Sequence, residues 1–225
     1  MTAKLAVAML TWNVFQTQRK EFLYRAWASL DDGDYAVTKR LVTNGSTDGT
    51  QDIVAALGGI VDDVDTRICY GMQKGIEWAV TQATGPDDIV LFTADDMTYK
   101  PGWARRLMAF WQDAPDEVAI ATLFLEDTWP WNTVRGVLEA GGERALIRDS
   151  VPGGCWSFRA RDWPLIGPIP QVMPGEDHAI IQKLEAAGYV FAALDLAEHT
   201  GVEHSAWNNQ SHTWATPLDR ARWGV

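Results

Sequence analysis

Four short polar motifs hold the side chains in this chain that could do chemistry, and they occur in a fixed order. They are Thr43-Asn44-Gly45-Ser46-Thr47-Asp48-Gly49-Thr50, Ala94-Asp95-Asp96, Gly175-Glu176-Asp177 and His199-Thr200-Gly201. In the first, Gly45 and Gly49 permit tight turning and close backbone approach. Ser46, Thr47 and Asp48 can cap a helix or hydrogen-bond a ligand. The motif is neither a dinucleotide fingerprint nor a P-loop, since G-x-G-x-x-G and Gly-Lys-Ser/Thr are both absent. In the second, the adjacent carboxylates Asp95 and Asp96 suit a hard divalent cation that completes its shell with substrate phosphates. The plainer reading is a solvated acidic turn. In the third, Glu176 and Asp177 suit the first turn of a helix, where acids complement the dipole, and one of them could also serve as a general base for a hydroxyl. His199 falls in a loop after an apolar strand, where ligand access is open, although an isolated histidine is more often structural. Gly153-Gly154-Cys155-Trp156 invites a nucleophile reading for Cys155, but no base is placed beside it and the glycines serve backbone approach to a ligand equally well.

These motifs need elements to position them. Residues 4–11 form an apolar run of strand length, and residues 35–42 form a second strand that ends where the glycine-containing motif begins. Residues 88–92 are apolar in succession, which suits a central strand covered on both faces, and Asp95-Asp96 follows it directly. Further strands are expected over 60–64, 118–124, 154–159 and 189–194. Helices are expected over 16–30, 50–57, 71–83, 101–111 and 176–187. Residues 125–150 have weak periodicity and are expected to be irregular. Alternating strands and helices predict a mostly parallel sheet flanked by helices. The expected organisation is one domain over 1–225, with a nucleotide-binding half over about 1–98 and an acceptor-binding half over about 99–205. A C-terminal flap follows over about 206–225.

Composition sets the outer limits. The chain has 225 residues, enough for one buried core, and 12 tryptophans. Trp129, Trp131, Trp156 and Trp207 lie among Gly, Pro or Asn and are candidates to stack on a sugar or a base. The formal net charge of −11 opposes broad attraction to nucleic acid or an anionic bilayer. Cys69 and Cys155 make no disulfide framework or zinc spacing. No run approaches the roughly 20 apolar residues of a membrane helix, and the short apolar start is wrongly flanked for a signal peptide. A cytoplasmic protein is expected.

Taken together the motifs resemble those of the family 2 glycosyltransferases, which have the nucleotide-sugar-binding GT-A fold. The resemblance runs over roughly residues 4–205. Thr11-Trp12-Asn13 is similar to a Thr-Tyr-Asn triplet closing the first strand, and residues 43–50 to an Asp-Asn-Gly-Ser-Thr-Asp-Gly-Thr element. Gln73-Lys74-Gly75-Ile76 resembles an Asn-x-Gly-Ile helix element. Ala94-Asp95-Asp96 with Pro101-Gly102-Trp103 resembles the metal motif and its sequel. Gly153-Gly154-Cys155 resembles an acceptor-side strand, Glu176-Asp177 with Ala187-Gly188-Tyr189 the catalytic helix, and His199-Thr200-Gly201 with Ser205 a late His-x-Gly element.

The resemblance implies a role for each. Thr11, Asn13, Thr43, Asn44, Gly45, Ser46, Gln73, Gly75 and Asp95 would bind the donor. Asp96 would hold Mn²⁺ or Mg²⁺ on the diphosphate, and His199 would be a metal or diphosphate ligand. Asp177 would be the base and Glu176 would position the acceptor. Gly153, Gly154 and Trp156 would face the acceptor or sugar. The implied reaction is a metal-dependent, inverting transfer from a nucleotide-diphosphate sugar to an acceptor hydroxyl. Thr43, Ala94 and Gln73 depart from the family pattern, all on the donor side, so UDP-sugar is the favoured donor rather than the fixed one. The competing class is a GT-A module that binds nucleotide-sugar or glycan without transfer. A nucleotidyltransferase ranks below both, for want of a basic Gly-rich N-terminal loop. The expected acceptor is soluble: a glycan, small molecule or protein, with hydroxymethylated pyrimidine in viral DNA as a minority expectation.

Overall fold

The computed structural model describes residues 3–62, 68–123, 133–151, 153–171, 176–194 and 202–204. Strand β1 (Leu5–Thr11) is buried along its whole length. It pairs in parallel with β2 (Val37–Asn44) on one side and with β4 (Ile89–Ala94) on the other, and β2 pairs in parallel with β3 (Ile60–Asp62). The two-residue alternation of a strand divides β1 between two cores. Leu5, Val7 and Met9 join Leu23, Ala26, Leu41 and Val54 on one face of the sheet. Ala6, Ala8 and Leu10 join Val42, Met72 and Ile76 on the other.

Those faces are covered by α1 (Lys20–Ser29), α2 (Thr50–Ala56), α3 (Ile68–Gln82) and α4 (Trp103–Asp113). Helix α3 lies close on the sheet because it carries glycine where other residues would collide. A Cβ on Gly75 would stand 3.1 Å from the Ala8 Cβ, and one on Gly71 would stand 2.2 Å from Asn44 Oδ1.

The other half of the sheet is mixed. Strand β9 (Cys155–Arg159) runs antiparallel to both β4 and β6 (Val118–Thr122), and β10 (Val190–Leu194) runs parallel to β6. A hairpin of β7 (Val134–Ala140) and β8 (Glu143–Arg148) adds to β10 in antiparallel fashion. The full order is β3-β2-β1-β4-β9-β6-β10-β8-β7. Short strand β5 (Met97–Tyr99) pairs apart from this sheet with β11 (Val202–His204). A 3-10 turn (Ala160–Asp162), helix α5 (Trp163–Ile166) and helix α6 (Glu176–Ala186) complete the described elements.

Three expectations are corrected. The α/β architecture holds, but the sheet is mixed rather than mostly parallel, because β9 and the β7–β8 hairpin insert antiparallel strands. The described part of 125–150 is that hairpin, not irregular chain. Its turn is Gly141-Gly142, with φ of 58° and 75°, the positive angles that a tight two-residue hairpin turn requires. The expected helix over 16–30 begins only at Lys20, because residues 13–19 form a compact turn of their own. The region 206–225, expected to be a flap, lies outside the described residues.

Candidate active site

In register, Thr11 pairs with Thr43 and Leu10 with Ala94, so the ends of β1, β2 and β4 meet at one edge. That is the carboxyl edge of the parallel strands, where open α/β sheets bind ligands. The turn after β1 and the motif after β2 are tied together there. Asn13, at φ 45°, receives the Thr47 N–H on its Oδ1 at 2.7 Å and donates its own N–H to Ser46 Oγ at 3.1 Å. Asp48 accepts the N–H groups of Phe15 and Gln16, both at 2.8 Å, and the N–H of Thr50 at 3.1 Å. The Val14 N–H donates to Thr50 Oγ1 at 2.9 Å. Burial pushes the Asp48 carboxyl upward, but bonds from the Thr50 hydroxyl and from these N–H groups outweigh it and hold the carboxyl below its ordinary 3.8.

The expected base-binding side chains are already engaged. Thr43 and Asn44 are 0% exposed and Ser46 is 2% exposed. The Thr43 and Ser46 hydroxyls lie 2.6 Å apart. Of residues 43–46 only Gly45 is partly exposed. Gln73 accepts the Ile169 N–H at 2.6 Å, which ties α3 to the segment before α6. Gly75 is a packing glycine against Ala8 and Val42.

The carboxylate pair follows β4. Asp95 is 3% exposed and Asp96 is 5% exposed. Thr11 Oγ1 donates to Asp95 Oδ2 at 2.6 Å. A single guanidinium nitrogen, Arg19 Nη2, donates to Asp95 Oδ1 and to Asp96 Oδ2, each at 2.6 Å. The structure thus seats a positive group between these carboxylates, and the donor set fits a hard cation that relies on one or two carboxylates plus phosphate oxygens. Among the described residues no group of three or more His, Cys, Asp or Glu side chains could hold a metal ion. Arg19 is the site residue that sequence reading missed. Read as part of a helix over 16–30 it had no special place. The available signal was the need of two adjacent buried carboxylates for a counter-charge.

Strand β9 brings the third motif to the second. Thr93 pairs with Cys155, and the Ala94 N–H donates to the Gly154 carbonyl at 2.9 Å. Gly154 runs close past Met97, since a Cβ there would stand 2.7 Å from Met97 Cε. A Cβ on Gly153 would stand 3.0 Å from Asp177 Oδ2. Asp177 Oδ1 accepts the His178 N–H at 2.7 Å. One continuous edge therefore runs from Asp95-Asp96 through Ala94, Gly154 and Gly153 to Asp177.

Two neighbours on β9 are structural. Trp156 is 0% exposed and packs in the core, with its indole N–H 3.4 Å from the Val151 carbonyl. It presents no ring to a sugar, contrary to expectation, because its place on β9 points it into the core cluster of Phe92 and Phe158. Cys155 is likewise 0% exposed, and burial pushes its thiol upward, which removes the nucleophile reading. His199, Gly201, Ser205, Trp129, Trp131 and Trp207 lie outside the described residues, as does the side chain of Glu176. The chain on either side of His199 is anchored, at Leu194 on β10 and at Val202, which pairs with Tyr99 on β5.

The family model for glycosyl transferase family 2 matches residues 7–159. The chain belongs to glycosyl transferase family 2. No curated protein matches it significantly. Among solved structures it is similar to a mannosyltransferase, PcManGT, from Pyrobaculum calidifontis in complex with GDP-Man and Mn²⁺. That match has 16% identity and a TM-score of 0.57, over 86% of this chain and 57% of that one. It is also similar to S. aureus TarS in complex with UDP, with 18% identity and a TM-score of 0.55, over 85% of this chain and 57% of that one. Glucosyl-3-phosphoglycerate synthase from Mycobacterium tuberculosis in complex with Mg²⁺ and UDP matches at 16% identity and a TM-score of 0.54. That match covers 99% of this chain and 80% of that one. The chain spans little more than half the length of the first two. These likenesses establish a GT-A glycosyltransferase fold.

Proposed function

We propose that this family 2 chain is a metal-dependent, inverting glycosyltransferase. It moves a sugar from a nucleotide-diphosphate donor, with UDP-sugar favoured, to an acceptor hydroxyl. The observation that carries the reading is the edge that joins Asp95-Asp96 to Asp177 through Gly154 and Gly153. That edge supports a reading in which the Asp95–Asp96 pair, which already holds the Arg19 guanidinium, serves as the cation anchor and Asp177 as the base at the carboxyl ends of the parallel strands.

In this reading Asp96 would hold Mn²⁺ or Mg²⁺, with Asp95 beside it and His199 as the expected further metal or diphosphate ligand. When bound, the metal supplies positive charge to the diphosphate leaving group. The half over about 1–98 supplies the donor platform and that over about 99–205 the acceptor side. Asp177 accepts the proton of the acceptor hydroxyl as its oxygen attacks the anomeric carbon. The bond from that carbon to the diphosphate oxygen breaks with its electron pair on the diphosphate, and the anomeric configuration inverts. The side-chain-free Gly153 leaves the Asp177 carboxylate open to an acceptor. Glu176, one residue earlier at the start of α6, orients it. Neighbours in complex with either UDP or GDP-Man leave the donor base to experiment.

No described helix is long and apolar enough to cross a membrane. We infer a soluble acceptor and a cytoplasmic location, readings in keeping with the acidic charge. The test is Asp177→Asn with a panel of donors. The variant should keep nucleotide binding within about twofold and lose transfer by at least about a hundredfold. Transfer at the wild-type rate would remove Asp177 as the base. Nucleotide binding with no transfer in the wild type, across the panel and with every acceptor class, would favour the binding-module reading.

A further inference from the structure

Arg19 occupies a place that helix energetics alone does not favour. Its carbonyl accepts the Leu23 N–H at 3.0 Å, so it stands at the start of α1. A cation there opposes the helix dipole. Its backbone is nevertheless fixed tightly. Gln18 turns with φ 58°, and the Arg19 N–H donates to the Val14 carbonyl at 2.8 Å. This turn aims the guanidinium at the acid pair, where Nη2 bridges Asp95 and Asp96 at 2.6 Å each. The two carboxylates are 4% and 8% exposed while the Arg19 side chain keeps 27%, so the cation is the partner with room to move.

We propose that Arg19 is an exchangeable counter-cation of the donor site, a positioning residue that sets the order of loading. The inference rests on the metal-dependent reading given above. Without donor, Arg19 neutralises the Asp95–Asp96 pair. A divalent ion entering alone must displace it and meets its repulsion. An ion entering with a diphosphate offers Arg19 a new anionic partner, so the guanidinium leaves Asp96 for a phosphate oxygen. Metal and diphosphate then bind more tightly together than either does alone.

The test is Mn²⁺ binding without nucleotide, followed by electron paramagnetic resonance of the unbound ion, on wild type, Arg19→Gln, Arg19→Lys and Asp96→Ala. Arg19→Gln should bind Mn²⁺ at least about tenfold more tightly than wild type, a change of about 1.4 kcal/mol. The thermal stabilisation that pyrophosphate adds in the presence of Mn²⁺ should be smaller in Arg19→Gln than in wild type. Arg19→Lys keeps the charge and should lie near wild type in both. Loss of folding cannot imitate a gain in metal affinity. Arg19→Gln binding Mn²⁺ no more tightly than wild type, while Asp96→Ala loses it, overturns this inference alone. Asp96→Ala binding Mn²⁺ as well as wild type overturns the metal reading beneath it.

Discussion

Asp177 and Gly153 are the residues on which the catalytic assignment turns, because a single missing methyl group separates them. A Cβ on Gly153 would stand 3.0 Å from Asp177 Oδ2 and 3.1 Å from its Cβ, closer than such atoms normally rest. Gly153→Ala should therefore shift the carboxylate by a few tenths of an ångström and narrow the acceptor approach. The expected result is a fall in transfer of about ten- to a hundredfold, with the nucleotide-dependent thermal shift unchanged; an equal loss of both would place Gly153 in the donor site instead. The types and order of Asp95, Asp96 and Asp177 were legible in the sequence. The burial of Trp156 was not, since Gly-rich flanks suggest exposure while the strand register decides it. Arg19 escaped because its partners lie more than seventy residues away, at Asp95 and Asp96.

At the level of elements, the turn over 13–19 and the motif over 43–50 act as one unit clamped by Asp48. Asp48 holds its folded value below the ordinary 3.8. The stability it contributes is thus present in full above that value and lost as pH falls through the lower folded one. Asp48→Ala should cost about 0.5–1.5 kcal/mol at neutral pH by removing its bonds to the exposed Phe15 and Gln16 N–H groups and the part-buried Thr50 N–H. Its melting temperature should also fall less steeply than that of wild type between about pH 5 and pH 3. Parallel pH profiles for the two proteins would contradict the clamp.

Helix α3 offers a second check. Gly71→Ala would place a methyl group 2.2 Å from Asn44 Oδ1 and 2.7 Å from Leu10 Cδ1. Overpacking of about 1–3 kcal/mol is expected, readable in a denaturation curve, together with weaker nucleotide binding if Asn44 serves the donor platform as proposed. Most strands and helices could be read from apolar runs. The β7–β8 hairpin could not, since its outward residues include Val134 and Val137, at 46% and 53% exposed. Those exposed valines blur the alternation. The surviving clue was Gly141-Gly142, a tight-turn pair that deserves priority over weak periodicity.

The whole molecule is a sheet whose carboxyl edge, the proposed donor and acceptor site, is built from strands distant in sequence. The α/β class followed from the alternation of elements. The mixed order did not, because β9 reverses direction between two strands that run the other way, and no local residue pattern encodes that insertion. The most direct test is thermal unfolding with UDP, GDP and dTDP, each with and without Mn²⁺, on wild type and Asp96→Ala. A ligand at about 100 times its dissociation constant stabilises by roughly 2.7 kcal/mol, which should raise the midpoint by about 5–10 °C for a chain of this size. The proposed site should give that rise with one nucleotide in wild type, dependent on Mn²⁺, and lose it in Asp96→Ala. No rise with any nucleotide, or a rise that survives Asp96→Ala undiminished, would contradict it.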